Sequence, residues 1–458
     1  MNWVSELAKE IGGQALTDAA SLSAAASDFG HVVERCPATV VRPASAEDVA
    51  KVIQFAGGHS LRVTARGAGH SQSGQSLSDQ IVLDMRSLDH IIHVDREQLK
   101  VRCQAGVTWR ALLTELLPLG LSPPVLTNNL DVTVGGTLST AGIGVASWRY
   151  GTQADQCLEL EVVTGKGEIV RCSPTSESRL FDGVRAGLGL FGVITEATLR
   201  LRRHKSKIKT FYLLYDELDT LLRDLERIMV DSRFDHLESW CVPLPQGFRQ
   251  GVGGRQPFAT WFFPLHLTLE HDGDHSGNED HRLRGLSFYK HIHTEDGEIG
   301  DFFLRLDPLF ALWKQAGFWD RAHPWMECML PWEASSGYVR NVLASIPPSS
   351  LQGGHALLWP ARGAASSIPL FMRPAADYVI GFGILPAIQK SLLPEFLPLL
   401  ETASRGAMLV GGKRYLSGWL GFDSNAWKSH YGGQWTLVRD LKRQFDPLNV
   451  LGMDSIQF

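Results

Sequence analysis

The segment Arg66-Gly67-Ala68-Gly69-His70-Ser71 decides how this chain is interpreted. It follows a short predicted strand at 62–64 and is followed by Gly74 and Gln75. Two glycines beside a histidine let the backbone approach a flat or phosphorylated ligand closely while the imidazole projects into it. The segment therefore predicts cofactor binding, and the alternative is an ordinary glycine-rich turn with a hydrogen-bonded histidine.

A second glycine-rich segment, at 133–142, reads Thr-Val-Gly-Gly-Thr-Leu-Ser-Thr-Ala-Gly. Its small side chains, hydroxyl groups and free backbone amides suit a pyrophosphate, although a plain turn is again the alternative. A third segment, Gly187-x-Gly189-x-x-Gly192, fits the dinucleotide fingerprint. That fingerprint must open a helix, whereas residues 193–201 alternate as a strand, so we reject an NAD site here.

Composition narrows the class of protein. With 458 residues, 44% of them hydrophobic, the chain predicts two packed domains. A net charge of −5 and scattered basic residues argue against a nucleic-acid partner. The sequence has no apolar run of about 18 residues, so no membrane partner is expected. Six separated cysteines without a C-x-x-C pair predict reduced thiols and a cytoplasmic location, while nothing indicates the oligomeric state.

Periodicity predicts a mixed α+β layout. A helix is expected at 45–57, with Ser45 and Glu47 in capping positions. The other predicted elements are strands at 81–84, 90–94 and 99–103, a helix at 109–117, a hairpin at 162–172, a strand at 193–201 and a helix at 427–445 that ends at Asp446-Pro447.

The two glycine-rich segments, in this order, resemble the flavin-binding segments of the vanillyl-alcohol oxidase superfamily, in particular cytokinin dehydrogenases. The family pattern is R-G-x-G-H-S, and its histidine bonds to the flavin methyl group at C8. The resemblance therefore implies FAD attached covalently to His70. It implies these cofactor-binding residues: Arg66, Gly67, Ala68, Gly69, His70, Ser71, Gln75, Val134, Gly135, Gly136, Ser139, Gly142, Gly192, Val193, Ile194 and Tyr415.

The resemblance also implies the architecture and the reaction. The expected fold is α+β, with a PCMH-type FAD-binding domain of two subdomains at 1–203 and 411–458. A substrate-binding cap with an antiparallel sheet is expected at 204–410, and the flavin ring at the domain junction. The implied reaction moves a hydride from a CH–NH carbon of a small molecule to flavin N5, and molecular oxygen or another acceptor then takes the electrons.

Two segments resemble the family's substrate region. His323-Pro324-Trp325, with Met329 and Pro331, is similar to the stretch H-P-W-L-N-M-F-V-P, which implies that His323 and Trp325 lie near the substrate. Glu270 lies where the family places a glutamate near the substrate entrance, which makes it a candidate catalytic residue. The alternative for Glu270 is a solvated loop carboxylate.

The chain also departs from the family. Asn128, a candidate catalytic residue, takes the place of the aspartate that accepts the substrate proton, and an amide cannot take a proton at neutral pH. The alternative for Asn128 is an ordinary turn residue. Arg362 replaces a pocket asparagine and could pair with a ligand carboxylate or form a surface salt bridge. The family's C-terminal glutamine falls near Ser455 or Gln457. These departures favour a second hypothesis, in which the substrate is an alcohol or ring carbon of a specialised metabolite.

Asn129 stands near the position where berberine-bridge relatives carry a second flavin-bonded cysteine, so attachment through His70 alone is expected. Because the family base is missing, the chain could instead bind flavin and ligand with little turnover.

A metal-dependent hydrolase around His291, His293 and Glu295 is a third option. Two histidines on one strand face are usually ordinary polar residues, so no metal is expected.

Overall fold

The computed structural model describes residues 2–251, 254–273, 280–346, 348–453 and 456. The strands are β1 (Gln14–Leu16), β2 (Thr39–Arg42), β3 (Val63–Arg66), β4 (Ile81–Asp84), β5 (Ile91–Asp95), β6 (Lys100–Gln104), β7 (Leu121–Ser122), β8 (Cys157–Thr164), β9 (Ile169–Cys172), β10 (Gly192–Arg200), β11 (Arg202–Arg203), β12 (Lys207–Tyr215), β13 (His236–Gly251), β14 (Gly254–His271), β15 (Lys290–Glu298), β16 (Met326–Pro331), β17 (His355–Arg362), β18 (Tyr378–Leu385) and β19 (Lys413–Arg414).

The helices are α1 (Asn2–Glu10), α2 (Ala19–Ala25), α3 (Ala46–Gly58), α4 (Trp109–Leu116), α5 (Val134–Leu138), α6 (Ser147–Tyr150), α7 (Ser178–Val184), α8 (Leu218–Asp231), α9 (Asp280–Leu283), α10 (Ile299–Phe303), α11 (Asp307–Gln315), α12 (Trp332–Ser345), α13 (Leu393–Leu409), α14 (Ser424–Tyr431) and α15 (Trp435–Phe445). No helix within the described ranges is long and apolar enough to cross a membrane.

The first sheet has the strand order β1-β2-β4-β3, and its last three strands run parallel. Helix α3 packs on it because Val49, Val52 and Ile53 form one buried apolar face. The helix begins where Ser45 accepts a hydrogen bond from the amide of Asp48, which confirms the predicted cap. Strand β3 ends at 66, so the glycine-rich segment leaves the carboxyl end of a parallel strand.

The second sheet has the order β5-β6-β10-β8-β9 and is antiparallel throughout. Helices α4 and α5 pack together beside it, and the indole nitrogen of Trp109 donates to Oγ1 of Thr137 at 2.9 Å. Strand β10 starts at Gly192 itself. The glycines at 187–192 therefore lead into a strand, which confirms the reason for rejecting a dinucleotide fingerprint.

The end of the chain returns to the first sheet. The amide of Val63 donates to the carbonyl oxygen of Val450 at 2.8 Å, and Val63 forms a parallel bridge with Leu451.

The continuous helix predicted at 427–445 is wrong, because α14 and α15 are separated by a 3₁₀ turn at Gly432–Gln434. Gly432 has φ +50°, which an α-helix cannot contain.

The largest sheet has the order β15-β12-β14-β13-β17-β18-β16-β19, with antiparallel neighbours. Helices α8, α12 and α13 cover one face of it and form an apolar core there. This sheet is the antiparallel sheet that the family resemblance implies. Strand β19 lies inside the tail assigned to the first domain, so the tail contributes one edge strand to the cap before it returns.

Candidate active site

A cavity of about 310 Å³ lies between the first domain and the cap sheet. It is lined by the segment 67–72, by α5, by the start of β10 and by the cap strands β13, β16 and β17. This volume is within the range of roughly 300–1,000 Å³ that is usual for cofactor and ligand pockets. The cavity therefore brings together segments that are separated by more than a hundred residues in the sequence.

The imidazole of His70 is enclosed by aromatic rings at the cavity wall. Its centroid lies 4.1 Å from that of Phe29, 6.3 Å from that of Trp319 and 5.8 Å from that of Trp325. Burial, and to a lesser extent the nearby His323, lowers the pKa of His70 to about 3. The ring is therefore neutral near pH 7 and keeps a nitrogen lone pair for bonding.

The glycines of the two segments allow the backbone to approach closely. A Cβ atom on Gly67 would overlap the Thr133 hydroxyl, and one on Gly135 would lie 2.7 Å from the Cβ of Ala105. Gly69 has φ +68°, a left-handed conformation that favours glycine. A side chain at 67 would force the two segments apart, and a side chain at 135 would push α5 away from Ala105.

The second glycine-rich segment is not the loop with free amides that the sequence predicts. Its residues form α5, and the amides of Val134 and Gly135 donate to main-chain oxygens in 105–107 at 2.8 Å each. The amide of Gly136 donates to the side-chain oxygen of Thr133 at 3.3 Å. These three amides are therefore used within the protein. The Ser139 hydroxyl also donates to the Gly135 carbonyl oxygen at 2.8 Å, so the segment mainly allows a ligand to approach its backbone closely.

The predicted cofactor residues divide into two groups by position. Those that line the cavity are Gly67, Ala68, Gly69, His70, Ser71, Gln75, Gly135, Gly136, Ser139, Gly192, Val193, Ile194 and Tyr415. Arg66, Val134 and Gly142 do not line it. The Arg66 guanidinium lies behind Gly69, Val134 is in the apolar core, and Gly142 packs against the Gln153 side chain. These three residues shape the wall from behind.

Two polar side chains fix the first glycine-rich segment. Asp28 accepts hydrogen bonds from the Ser71 hydroxyl at 2.9 Å and from the Gly74 amide at 2.8 Å. Burial raises the pKa of Asp28 to about 6. The amide nitrogen of Gln75 donates to the carbonyl oxygen of Gly418 at 2.9 Å, which ties the segment to the C-terminal tail.

Asn128 lines the cavity next to a charged pair that the sequence analysis missed. Arg305 donates to the two carboxylate oxygens of Glu238 at 3.0 Å each and to Oδ1 of Asn128 at 3.0 Å. Burial alone would raise the pKa of Glu238, but the Arg305 guanidinium outweighs it and holds that pKa below its usual range. Glu238 is therefore an ionised carboxylate in the cavity wall.

The predicted substrate residues are only partly in the cavity. Trp325 lines it, but His323 and Arg362 do not. Both nitrogens of His323 lie 3.2 Å from main-chain oxygens, and its ring stacks on Phe29 with centroids 4.2 Å apart, so it supports the wall behind His70. Arg362 donates to the Ser232 hydroxyl at 2.8 Å and lies over the Trp148 ring. These positions do not agree with the substrate contacts that were predicted for His323 and Arg362.

Glu270 is also outside the cavity, contrary to its prediction as a catalytic residue. Arg202 holds its carboxylate with hydrogen bonds of 2.8 and 2.5 Å, and Nε2 of His236 lies 2.9 Å from it. Burial works against ionisation, yet these partners lower the pKa of Glu270 well below its usual range. Glu270 is therefore placed as part of a buried ion cluster between β11 and the cap sheet.

The histidines considered for a metal site have other partners. Nε2 of His291 lies 2.8 Å from the Thr294 hydroxyl, and Glu295 accepts a hydrogen bond of 2.6 Å from Tyr212. In the part of the chain that the structure describes, no three His, Cys, Asp or Glu side chains gather closely enough to hold a metal ion. Ser455 and Gln457, near the expected C-terminal glutamine, lie outside the described residues.

Comparison with known proteins assigns the family. Residues 37–173 match the family model described as FAD binding domain, and residues 262–456 match the model described as cytokinin dehydrogenase 1, FAD and cytokinin binding. The chain is 31% identical to cytokinin dehydrogenase 3 of Oryza sativa subsp. japonica, over 93% of this chain and 88% of that protein. The chain belongs to the cytokinin dehydrogenase family.

Other relatives agree with this assignment. Cytokinin dehydrogenase 3 of Arabidopsis thaliana is 30% identical over 96% of this chain and 90% of its own length. A protein of Rhodococcoides fascians described as an uncharacterized oxidoreductase in the fasciation locus is 30% identical over 95% of this chain and 97% of its own. This family member is therefore an FAD-dependent oxidoreductase, and the glycine-lined cavity fits that cofactor.

Sequence analysis missed two acidic residues that line the cavity, Glu238 and Glu327. Glu327 is a charged residue within the otherwise apolar strand β16. A carboxylate is rarely placed in such a strand without a partner or a function, so this pattern could have singled out Glu327. Strand β13 also contains His236 and Arg249, so it carries no such signal for Glu238.

Proposed function

We propose that this cytokinin dehydrogenase family member oxidises a small molecule at a carbon that bears an N–H group. The hydride would pass to N5 of an FAD that is bonded to His70. One observation carries this proposal: a single cavity is lined both by the glycine-rich segment around His70 and by the polar pair Asn128 and Glu238. A substrate in that cavity would have both within its surroundings.

His70 would hold the cofactor rather than transfer protons. Its imidazole is neutral because burial lowers its pKa to about 3, so a ring nitrogen is free to bond to the flavin methyl carbon. Phe29 and Trp319 pack against the ring and restrict its orientation. When bound, FAD supplies the acceptor for the hydride. Fixing one end of the flavin in this way would hold its reactive atom at a constant position relative to the substrate.

The aromatic lining of the cavity suits a flat, largely apolar substrate. Trp313, Trp325 and Trp359 line the cavity together with leucines of the cap. Large aromatic surfaces favour stacking with a heteroaromatic ring such as a purine, and they exclude water from the reacting atoms. An N6-isoprenoid adenine combines such a ring with a CH–NH carbon, which makes it the substrate class that we favour.

Asn128 and Glu238 would orient the polar part of the substrate. The ionised Glu238 can accept a hydrogen bond from a substrate N–H, and the Asn128 amide can donate or accept one. Arg305 fixes both side chains, so their geometry is set before a ligand binds. A neutral amide at 128 is equally compatible with a hydroxylated substrate. That feature supports the second candidate function, which is oxidation of an alcohol or ring carbon in a specialised metabolite.

Anaerobic mixing of the purified protein with a panel of substrates tests the proposal. N6-isopentenyladenine should bleach the flavin absorbance faster than a primary alcohol of similar size and shape. Faster bleaching by the alcohol would support the second candidate. A spectrum that stays unchanged with every member of the panel would contradict both and indicate a binding protein.

Molecular oxygen or another acceptor would remove the electrons from the reduced flavin, and oxygen uptake during turnover distinguishes these alternatives.

All six cysteines carry free thiols, and five of them are buried. This supports our proposal of a reducing, cytoplasmic location, which fractionation of the producing cells would test.

A further inference from the structure

Glu327 is a buried carboxyl group in the cavity wall that the proposed function has not used. On β16, Met326, Cys328 and Leu330 point into the apolar core of the cap, so Glu327 faces the other side and lines the cavity. It is only 8% exposed. The family stretch H-P-W-L-N-M-F-V-P, which this segment resembles, has asparagine at this position.

The neighbouring strand leaves room for this side chain. Glu327 lies opposite Gly383 of β18, and a Cβ atom on Gly383 would be 3.2 Å from Cγ of Glu327 and 3.3 Å from Cζ3 of Trp359. Gly381 gives similar room to the Trp359 indole. The absence of side chains at these two glycines lets an indole and a carboxyl group lie next to each other in the cavity.

Within the described residues, the carboxylate oxygens of Glu327 form no hydrogen bond or ion pair. Arg414 interacts electrostatically with Glu327, but its nitrogens donate to the main-chain oxygens of Glu327 and Trp419 and to the Ser404 hydroxyl. Two other titratable groups interact electrostatically with Glu327: the hydroxyl of Tyr415 and the thiol of Cys328, which lies on the opposite face of β16. Burial raises the pKa of Glu327 to about 7, and Arg414 only partly opposes this.

The other titratable groups in the cavity are poorly suited to accept a proton. Glu238 is held ionised by Arg305, and its lowered pKa makes it a weak base. His70 would be bonded to the flavin, and burial lowers the pKa of His355 to about 4. Burial raises the pKa of Tyr415 far above neutrality. A general base is most effective when its pKa is near the working pH.

We propose that Glu327 accepts the proton that the substrate nitrogen loses during oxidation, in place of the aspartate that Asn128 replaces. This inference depends on the CH–NH oxidation proposed above. The C–H bond breaks with both electrons, and the hydride goes to FAD, which is reduced. The N–H bond breaks, the nitrogen keeps its electron pair to form the C=N bond, and the proton joins a carboxylate oxygen of Glu327. The proton leaves to water when the product departs.

The variant Glu327→Gln tests the base directly, because the amide keeps the shape and hydrogen-bonding ability but cannot take a proton. Anaerobic flavin reduction by N6-isopentenyladenine should slow by roughly 10²- to 10⁴-fold. The wild-type rate should rise with pH through a transition near pH 7, and the variant should lack this transition. Glu333→Gln, an exposed change on α12, is the matched control and should reproduce the wild-type profile.

A second measurement does not depend on activity. Because the pKa of Glu327 is raised in the folded state, ionisation of Glu327 should destabilise the wild type increasingly between about pH 4 and pH 7. Glu327→Gln removes that ionisation, so denaturant unfolding should show the variant gaining stability relative to wild type over this range. Glu327→Asn, which carries the family residue, provides a second variant with the same expectation.

The outcomes separate the two proposals. If N6-isopentenyladenine reduces the flavin and Glu327→Gln and Glu327→Asn retain the rate and the pH transition, Glu327 is not the base and the CH–NH oxidation stands. If no CH–NH compound reduces the wild-type flavin, the proposed function fails and the role of Glu327 fails with it. Slow reduction without the pH transition in both variants, together with the shift in stability, supports the proposal.

Discussion

Arg305 holds the carboxylate of Glu238 at both oxygens, with each nitrogen 3.0 Å from its partner oxygen. Glu238 is on β13 of the cap sheet, and Arg305 is in the turn between α10 and α11. The same guanidinium donates to Asn128 of the first domain at 3.0 Å. One side chain therefore connects the sheet of the cap, its helices and the first domain at the wall of the cavity.

Replacement of Arg305 by methionine should destabilise the protein. The change leaves the buried Glu238 carboxylate without its cation, which costs about 3 kcal/mol of unfolding free energy in comparable buried pairs. It should also raise the pKa of Glu238. Urea unfolding at neutral pH measures the loss.

The control for this prediction is Arg340→Met. Arg340 pairs with Glu217 and Asp219 on the surface, and such exposed pairs contribute no more than about 1 kcal/mol. Equal, small losses in both variants would show that the Arg305–Glu238 pair does not stabilise the cavity wall.

Replacement of Glu270 by glutamine should affect stability rather than catalysis. Its carboxylate pairs with Arg202 and His236 away from the cavity, so the rate of flavin reduction should change by no more than about twofold. The folded-state pKa of Glu270 is lowered, so its stabilisation is present above the unfolded pKa of about 4.3 and is lost as pH falls toward the lower folded value. Wild type and variant should therefore differ most near neutral pH and converge in acid.

Unfolding curves over a pH series, with flavin reduction measured on the same samples, check the Glu270 prediction. A large fall in the reduction rate with unchanged stability would instead favour the catalytic role that the sequence suggested for Glu270.

Replacement of Gly67 by alanine should reduce the FAD content of the purified protein. The added Cβ atom would overlap the Thr133 hydroxyl, which caps α5 by accepting a hydrogen bond from Gly136. The two glycine-rich segments would then separate at the cavity wall. Flavin absorbance relative to protein absorbance measures the loss.

Gly58→Ala is the matched control for Gly67→Ala. No atom lies within 4 Å of the position of its added Cβ, and alanine is favoured over glycine in helices by roughly 0.5–1 kcal/mol. Gly58→Ala should retain full FAD content with equal or slightly higher stability. A Gly67→Ala protein with normal FAD content would show that close contact between the segments is not needed.

Local signals predicted the first domain well. The helix predicted at 45–57 is α3, and the strand predicted at 81–84 is β4. Both predictions depend on residues that are neighbours in the sequence. The signal for the helix is an N-cap serine followed by apolar residues at helical spacing, and the signal for the strand is a short run of apolar, partly β-branched residues. The prediction of one helix at 427–445 is wrong at Gly432. The helical spacing of apolar residues continues on both sides of this glycine, but its positive φ interrupts the helix.

The arrangement of the site depended on long-range contacts that periodicity does not contain. Arg305 is 67 residues from Glu238 and 177 from Asn128, and one sequence does not indicate which turns meet in space. Glu270 was misplaced for the same reason, since its position near the family glutamate says nothing of its pairing with Arg202. The segment around His70 was predicted to line a cofactor site because its glycines and the preceding strand form a local pattern, and it does line the cavity. The role of His70 as the flavin anchor comes from the family resemblance and stays a prediction.

The attachment of FAD to His70 is the central claim, and mass spectrometry of acid-precipitated protein tests it most directly. The precipitated wild-type chain should carry the mass of FAD on the peptide that contains His70, and His70→Ala protein should release all its flavin into the supernatant. Release of all flavin from the wild-type chain, or flavin on a peptide without His70, would contradict the account.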